Sequence, residues 1–196
     1  RSGADVTAMM AAYRQLARQH GLTLFFQVTC AEAGGMLRQA EALRAYFGEC
    51  LVVKLPATED GYAAVPLLNK AGIPSAVTMV HSMMQALIAA KAGAAYVAPY
   101  ITHIDNIGAD GAGTVVQIIR TFQQYGYPCK VLGASFRTVD QVARLALAGC
   151  HAVTVTPAFF RQLILHPSTT ESAAQFKTAW EDRFGNRQID DFLPKA

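Results

Sequence analysis

Lys54 is the residue from which a chemistry can be written. It interrupts the run Leu51-Val52-Val53-Lys54-Leu55-Pro56, which otherwise reads as a fully buried strand. A charged amine at the end of an apolar strand is costly unless it finds a partner or gives up its proton. A lysine driven toward neutrality is a nucleophile, and neutral lysines form Schiff bases with carbonyl substrates. The competing role is a strand's wet end, paired with a carboxylate. The other strand ends bear on that choice. Read in order, the strand ends carry Gln27, Lys54, Thr78, Tyr100, Ser135 and Thr156. Singly, each can merely finish its strand. Six polar residues converging on one face have to share a pocket.

In such a pocket Lys54 attacks a ketone, and the carbinolamine loses water to give an iminium. The iminium withdraws electrons, so the bond between the neighbouring carbons breaks. A proton must then move to and from the oxygen of the released aldehyde. Tyr100 is the acid/base candidate, acting through a water held by Gln27 and Thr78. Its competing role is a rim aromatic with the hydroxyl in solvent. After the second-last strand, Ser135-Phe136-Arg137 offers a hydroxyl and a bidentate cation, where barrels often bind phosphate. The competing role for Arg137 is a solvated loop arginine.

Helical and strand patterns alternate along the chain. A helix is expected from Asp5 to Gln19, with Val6, Met9, Met10, Tyr13 and Leu16 on one face, and a strand over residues 22–28. A second helix carries Met36, Leu37, Ala40, Leu43 and Phe47. The Lys54 strand follows, then a helix opened by Thr58-Glu59-Asp60. Strands are expected at residues 72–78, 95–100, 129–135 and 151–156. Between them come a helix with Met83 and Leu87, a polar glycine-rich loop over 104–113, a helix over 114–125, and a helix opened by the capping box Thr138-Val139-Asp140-Gln141. A last amphipathic helix, at about 168–184, carries Ala173, Phe176, Trp180 and Phe184.

Six strands joined by crossover helices imply a parallel sheet. The fold class expected is α/β, a (β/α)8 barrel whose first two strands are absent from this chain, with 1–196 as a single barrel domain. An open doubly wound sheet is the alternative, but the first βα turn lacks G-x-G-x-x-G. The chain opens on Arg1-Ser2-Gly3, without Met and without a signal-peptide shape, which reads as a cut N-terminus.

The bulk numbers exclude several classes. A net charge of +3, with no basic run, argues against nucleic acid as a partner. Apolar stretches are too short and too broken by Gly, Pro and Lys to span a bilayer. Cys30, Cys50, Cys129 and Cys150 have no C-x-x-C spacing and read as reduced cysteines of a cytoplasmic protein.

Four segments carry a resemblance: Val52-Val53-Lys54-Leu55-Pro56-Ala57-Thr58-Glu59-Asp60-Gly61, Tyr96-Val97-Ala98-Pro99-Tyr100, Ile104-Asp105, and Val131-Leu132-Gly133-Ala134-Ser135-Phe136-Arg137-Thr138. Together they resemble the transaldolase family, and more closely its small-subunit branch, which includes fructose-6-phosphate aldolase. The resemblance implies a class I aldolase barrel with Lys54 as the Schiff-base residue and no cofactor or metal. It implies catalytic parts for Gln27, Tyr100 and the water-holding Thr78. In the aldolase branch the first of these positions is glutamine and the acid/base tyrosine is present; true transaldolases have glutamate and lack the tyrosine. Ser135, Arg137, His103 and Ala98 make up the implied substrate- and phosphate-binding set. A small sugar or sugar phosphate is the implied substrate, and a homo-oligomer, pentamer or decamer, the implied assembly, with the last helix against a neighbouring subunit.

The chain departs from the family at His103, where an arginine is usual. An arginine holds a phosphate with two charge-assisted hydrogen bonds, whereas a neutral imidazole offers one donor. A modest preference for phosphorylated acceptors is therefore expected. The aspartate of the family's first strand and the Thr/Asn motif of its second do not occur. The expected function is cleavage or formation of a C–C bond between a dihydroxyacetone-type donor and an aldehyde such as glyceraldehyde 3-phosphate. The alternatives are transfer of the dihydroxyacetone unit between sugar phosphates, a metal-dependent aldolase using His81, His103 and Asp105, and an inactive barrel kept for assembly. The metal alternative is weak, because the spacing matches no metal motif and His81 more simply starts a helix.

Overall fold

The computed structural model describes residues 5–194, so the Arg1-Ser2-Gly3 start lies outside the described residues. Six strands form one sheet in chain order: β1 (Leu24–Gln27), β2 (Leu51–Pro56), β3 (Ser75–Val80), β4 (Tyr96–Pro99), β5 (Lys130–Gly133) and β6 (Ala152–Val153). Every neighbouring pair is parallel. Helix α1 (Val6–His20) precedes β1, and α2 (Ala33–Phe47), α3 (Glu59–Lys70), α4 (Met83–Ala92), α5 (Ile101–Asn106), α6 (Gly111–Tyr125) and α7 (Val139–Leu147) run between strands.

Alternation along each strand separates two faces. Leu51, Val53, Leu55, Val77, Val97 and Val131 pack with Met36, Ala40, Val65, Leu68, Val115 and Ile118 of the helices in one apolar core. The opposite face carries Phe25, Val52, Lys54, Ala76, Thr78, Tyr96, Ala98 and Leu132, in register from strand to strand. That face is concave. Phe25 on β1 meets Tyr96 on β4 edge-to-face, ring centroids 5.2 Å apart, although three strand spacings in a flat sheet span about 14 Å. Small Ala76 and Ala98, both essentially buried, line the inside of the curve. The fold is thus an open, curled arc of the (β/α)8 type, with six strands where a closed barrel has eight. Helices α2, α3, α4 and α6 pack on the face opposite the concave one, unlike the two-sided cover of a doubly wound sheet.

Local chemistry explains the elements around the site. Thr58 caps α3 by accepting from the Gly61 N–H. Gly61 also lies against the Pro56 carbonyl, where a Cβ would collide, so α3 can start directly at the end of β2. The capping box of Thr138 and Gln141 opens α7 as expected.

Several expectations need correction. The loop assigned to 104–113 instead contains the end of α5 and the start of α6. Helix α5 is held by tertiary bonds: the N–H groups of Ile101 and Thr102 donate to the carbonyls of Ala134 and Ser135, at 2.9 and 2.8 Å. The apolar stripe of α1 is largely exposed, and Ala17 is its one buried residue. Strand β6 is two residues long rather than six. Residues 157–164 form a helix, α8 (Pro157–Ile164), that periodicity did not separate, and α9 (Pro167–Phe184) follows it.

The chain divides into two compact units, Arg1–Thr154 and Val155–Ala196. The second comprises α8, α9 and a short 3₁₀ turn, Ile189–Phe192. Trp180, Phe184 and Phe192 gather their rings there, and the Trp180 indole N–H donates to the Arg187 carbonyl at 2.6 Å.

One charged tie supports a stability prediction. Asp110 caps α6 by accepting from the Gly113 N–H and accepts from the Arg144 guanidinium of α7 at 2.8 Å. The Arg144 hydrogen bond, then that from Gly113, holds the Asp110 carboxyl below its ordinary range. A carboxyl whose pKa is lowered by folding adds stability above its unfolded pKa, and this is lost as pH falls through the folded value. Asp110→Ala should therefore cost about 1 kcal/mol at neutral pH, chiefly as a lost cap, because the ion pair is well exposed. Asp110→Asn, which keeps the cap, should cost a few tenths, and in urea titrations the difference from wild type should begin to shrink at about pH 4 and vanish only once pH has fallen through the lowered pKa of the folded carboxyl. Equal stability of the Asn variant and wild type at pH 7 would show that the pair adds nothing.

Candidate active site

The concave face delivers its polar residues at the C-terminal ends of the strands. Register places Gln27 beside Lys54, Lys54 beside Ala76, and Thr78 between Pro56 and Ala98. Tyr100, just past β4, bridges Ala134 just past β5. Lys54 is half-buried and has no ion-pair or hydrogen-bond partner among the described residues. The carboxylate that a merely structural lysine would call for is therefore not there among the described residues.

Thr78 is fully buried, and its hydroxyl donates to the phenol oxygen of Tyr100 at 3.3 Å. An oxygen that accepts in this way can give its own proton as the phenol or take one as the anion. Beyond Thr78 the strand bulges at Met79, which adopts φ 59°, and register slips to Val80. The bulge brings the half-buried His81 ring within 5.9 Å of both Tyr100 and His103, measured between centroids. Tyr100 and His103 are 5.2 Å apart.

His103 lies on α5 and its Nδ1 is 3.0 Å from the Ser135 hydroxyl. Ser135 is left-handed, φ 62°, a conformation that costs a non-glycine residue roughly 1–3 kcal/mol and gathers at functional positions. Arg137 is exposed, and its guanidinium donates to the Asn106 side chain at 3.3 Å, which leaves most of its donors free.

The structure thus brings together Lys54, Thr78, Ala98, Tyr100, His103 and Ser135, with Arg137 on the same loop as Ser135. Gln27 is less committed. It sits in register beside Lys54, but its amide donates to the Val28 carbonyl at 3.2 Å. It also lines a cleft of about 460 Å³ with Thr7, Met10, Thr29 and Tyr46, away from the other candidates. Thr156 belongs to the second unit, where its hydroxyl caps α8 by accepting from the Phe159 N–H. Sequence reasoning missed His81 as a neighbour of Tyr100, reading it as a helix start. The bulge that re-aims it is centred on a methionine and leaves no sequence signal.

Among the described residues no three His, Cys, Asp or Glu side chains form a group able to hold a metal ion. Nor is any helix among them long and apolar enough to cross a membrane.

Comparison with known proteins adds the family. Residues 4–191 match the family described as Transaldolase/Fructose-6-phosphate aldolase. A probable transaldolase of Desulfotalea psychrophila is 40% identical over 157 residues, covering 80% of this chain and 73% of the relative. Probable transaldolases of Rhizobium meliloti and Anaeromyxobacter sp. are 39% and 38% identical, covering 79% of this chain in each case and 70% and 72% of the relatives. Among solved structures, mandelate oxidase superposes with a TM-score of 0.54 at 17% identity, over 72% of this chain and 50% of that one. The chain therefore spans about half of that structure, and the likeness bears on the fold alone.

Proposed function

The chain belongs to the transaldolase/fructose-6-phosphate aldolase family, and from that premise we propose that it makes and breaks carbon–carbon bonds through a Schiff base on Lys54. The observation that carries the proposal is an unpaired, half-buried lysine on the concave face, beside a Thr78–Tyr100 hydrogen bond. The Lys54 amine adds to the C2 carbonyl of a ketose, and loss of water leaves the iminium. The C3–C4 bond breaks, its electrons pass into the enamine, and the C4 hydroxyl gives its proton to the Tyr100 oxygen, which enters this step as the anion and leaves it as the phenol. Release of the aldehyde leaves a three-carbon enamine on Lys54.

What meets that enamine decides the activity. Attack on a second sugar aldehyde is transaldolase chemistry, and the names of the relatives support this reading. Protonation by Tyr100 followed by hydrolysis releases dihydroxyacetone, the fructose-6-phosphate aldolase reaction. Tyr100 with its Thr78 donor, and Gln27 rather than a carboxylate beside Lys54, favour this second reading. One experiment separates the two. Fructose 6-phosphate is supplied with and without a second aldose phosphate, and free dihydroxyacetone is measured. For a transferase it forms only at trace rates, and turnover requires the acceptor. Rapid release without acceptor would establish the lyase and refute the transferase. For the acceptor's phosphate we propose Ser135, Arg137 and His103 as ligands, supported by the His103–Ser135 contact and the free donors of Arg137.

A further inference from the structure

Two polar side chains near those ligands belong to no reaction step, yet they are fully engaged. Asp105 follows His103 by two residues on α5. Its Oδ1 accepts from the Gly111 N–H at 2.7 Å and its Oδ2 from the Gln141 side-chain amide at 2.5 Å. Gly111 is required there, because a Cβ would press on the Ile101 carbonyl and the Asp105 carboxylate. Gln141, only 9% exposed, uses its Oε1 to accept from the backbone N–H groups of Arg137 and Thr138, at 2.7 and 3.0 Å. A carboxylate only accepts, and backbone N–H groups only donate. The orientation of the Gln141 amide is therefore dictated by its surroundings.

We propose that Asp105 and Gln141 are positioning residues for the acceptor-phosphate subsite. Through this single amide, the helix that carries His103 is locked to the loop that carries Ser135 and Arg137. The proposal rests on the function read above and extends it to residues that do not touch substrate. A phosphate gripped from two separate elements needs their spacing held to within about 0.5 Å. The backbone bonds from Ile101 and Thr102 to Ala134 and Ser135 tie the near ends of helix and loop. The Asp105–Gln141 link ties the far ends, so that His103 and Arg137 lie between two anchors.

The test is a double-substitution cycle. Asp105→Asn presents a donor where Gln141 already presents one. Gln141→Glu sets one carboxylate against another. The two substitutions together restore every bond with donor and acceptor exchanged: the new amide donates to the new carboxylate, which still accepts from Arg137 and Thr138. Each single variant should raise KM for glyceraldehyde 3-phosphate about tenfold, with kcat within about twofold, since one buried group is left unpaired. The ratio of kcat/KM for glyceraldehyde 3-phosphate over glyceraldehyde should fall by a similar factor, and the double variant should recover it. An unchanged ratio, an equal loss with both aldehydes, or a double variant that stays impaired would each overturn the proposal. If a single variant does not fold, Asp105→Glu, which keeps the charge and shifts it by one methylene, should show the same fall, and an unchanged ratio there is equally fatal. If wild-type protein forms no borohydride-stable adduct on Lys54, the reading of function has failed instead. The cycle is then followed by calorimetric binding of inorganic phosphate, where the same pattern in Kd is expected and its absence refutes the brace.

Discussion

Lys54→Ala is expected to abolish turnover and covalent capture together. Sodium borohydride added with dihydroxyacetone or fructose 6-phosphate should reduce an iminium on wild-type protein, and peptide mass mapping should place the reduced fragment on Lys54. The proposed nucleophile has no partner to release among the described residues, and its place between Gln27 and Ala76 on the concave face leaves it open to a carbonyl. Loss of a covalent nucleophile typically lowers kcat by roughly 10⁴- to 10⁶-fold. Folding should survive, because the side chain gives up no ion pair or hydrogen bond. An adduct that persists in Lys54→Ala would move the chemistry to another amine. Activity lost on EDTA treatment and restored by a divalent ion would revive the metal-dependent alternative built on His81, His103 and Asp105.

The sequence made some of this legible because it was local. Strand β2 announces itself as an apolar run with one lysine, and Thr58 and the Thr138–Gln141 box mark helix starts through bonds spanning three residues. The strand count and the parallel pairing follow from the repeated βα unit. Long-range contacts were not legible. Helix α5 is six residues long and is fixed by the carbonyls of Ala134 and Ser135, so its periodicity is too short to register. The Asp105–Gln141 bond joins residues 36 apart. The left-handed turns at Met79 and Ser135 use residues with no propensity for them, and it is the surrounding structure that imposes those conformations. The α1 stripe shows the reverse error. Periodicity identified an apolar face on Val6, Met9, Tyr13 and Leu16, but it does not say what covers that face. Transfer and cleavage are distinguished by neither fold nor family, because they differ only in the fate of one enamine.

Tyr100→Phe tests the proton-transfer role, and its effect should fall on turnover. The substitution removes one oxygen and keeps the ring, so the ring contacts with His81 and His103 remain. It also leaves the buried Thr78 hydroxyl without its acceptor, a stability cost of about 1–3 kcal/mol that thermal unfolding would register separately. A positioned acid/base group contributes roughly 10²- to 10⁴-fold to rate. We therefore expect kcat for cleavage of fructose 6-phosphate to fall by that factor, while KM changes by less than about threefold, since the proton transfer to Tyr100 matters most in the transition state. Borohydride capture of dihydroxyacetone on Lys54 should persist, because iminium formation from the ketone precedes the step assigned to Tyr100. That split, with capture retained and cleavage lost, is what distinguishes an acid/base group from a residue that merely shapes the pocket. If Tyr100→Phe cleaves at near the wild-type rate, the tyrosine is a rim residue and the proton must travel by another route, for which His81 and His103, with rings 5.9 and 5.2 Å from it, would be the next groups to substitute.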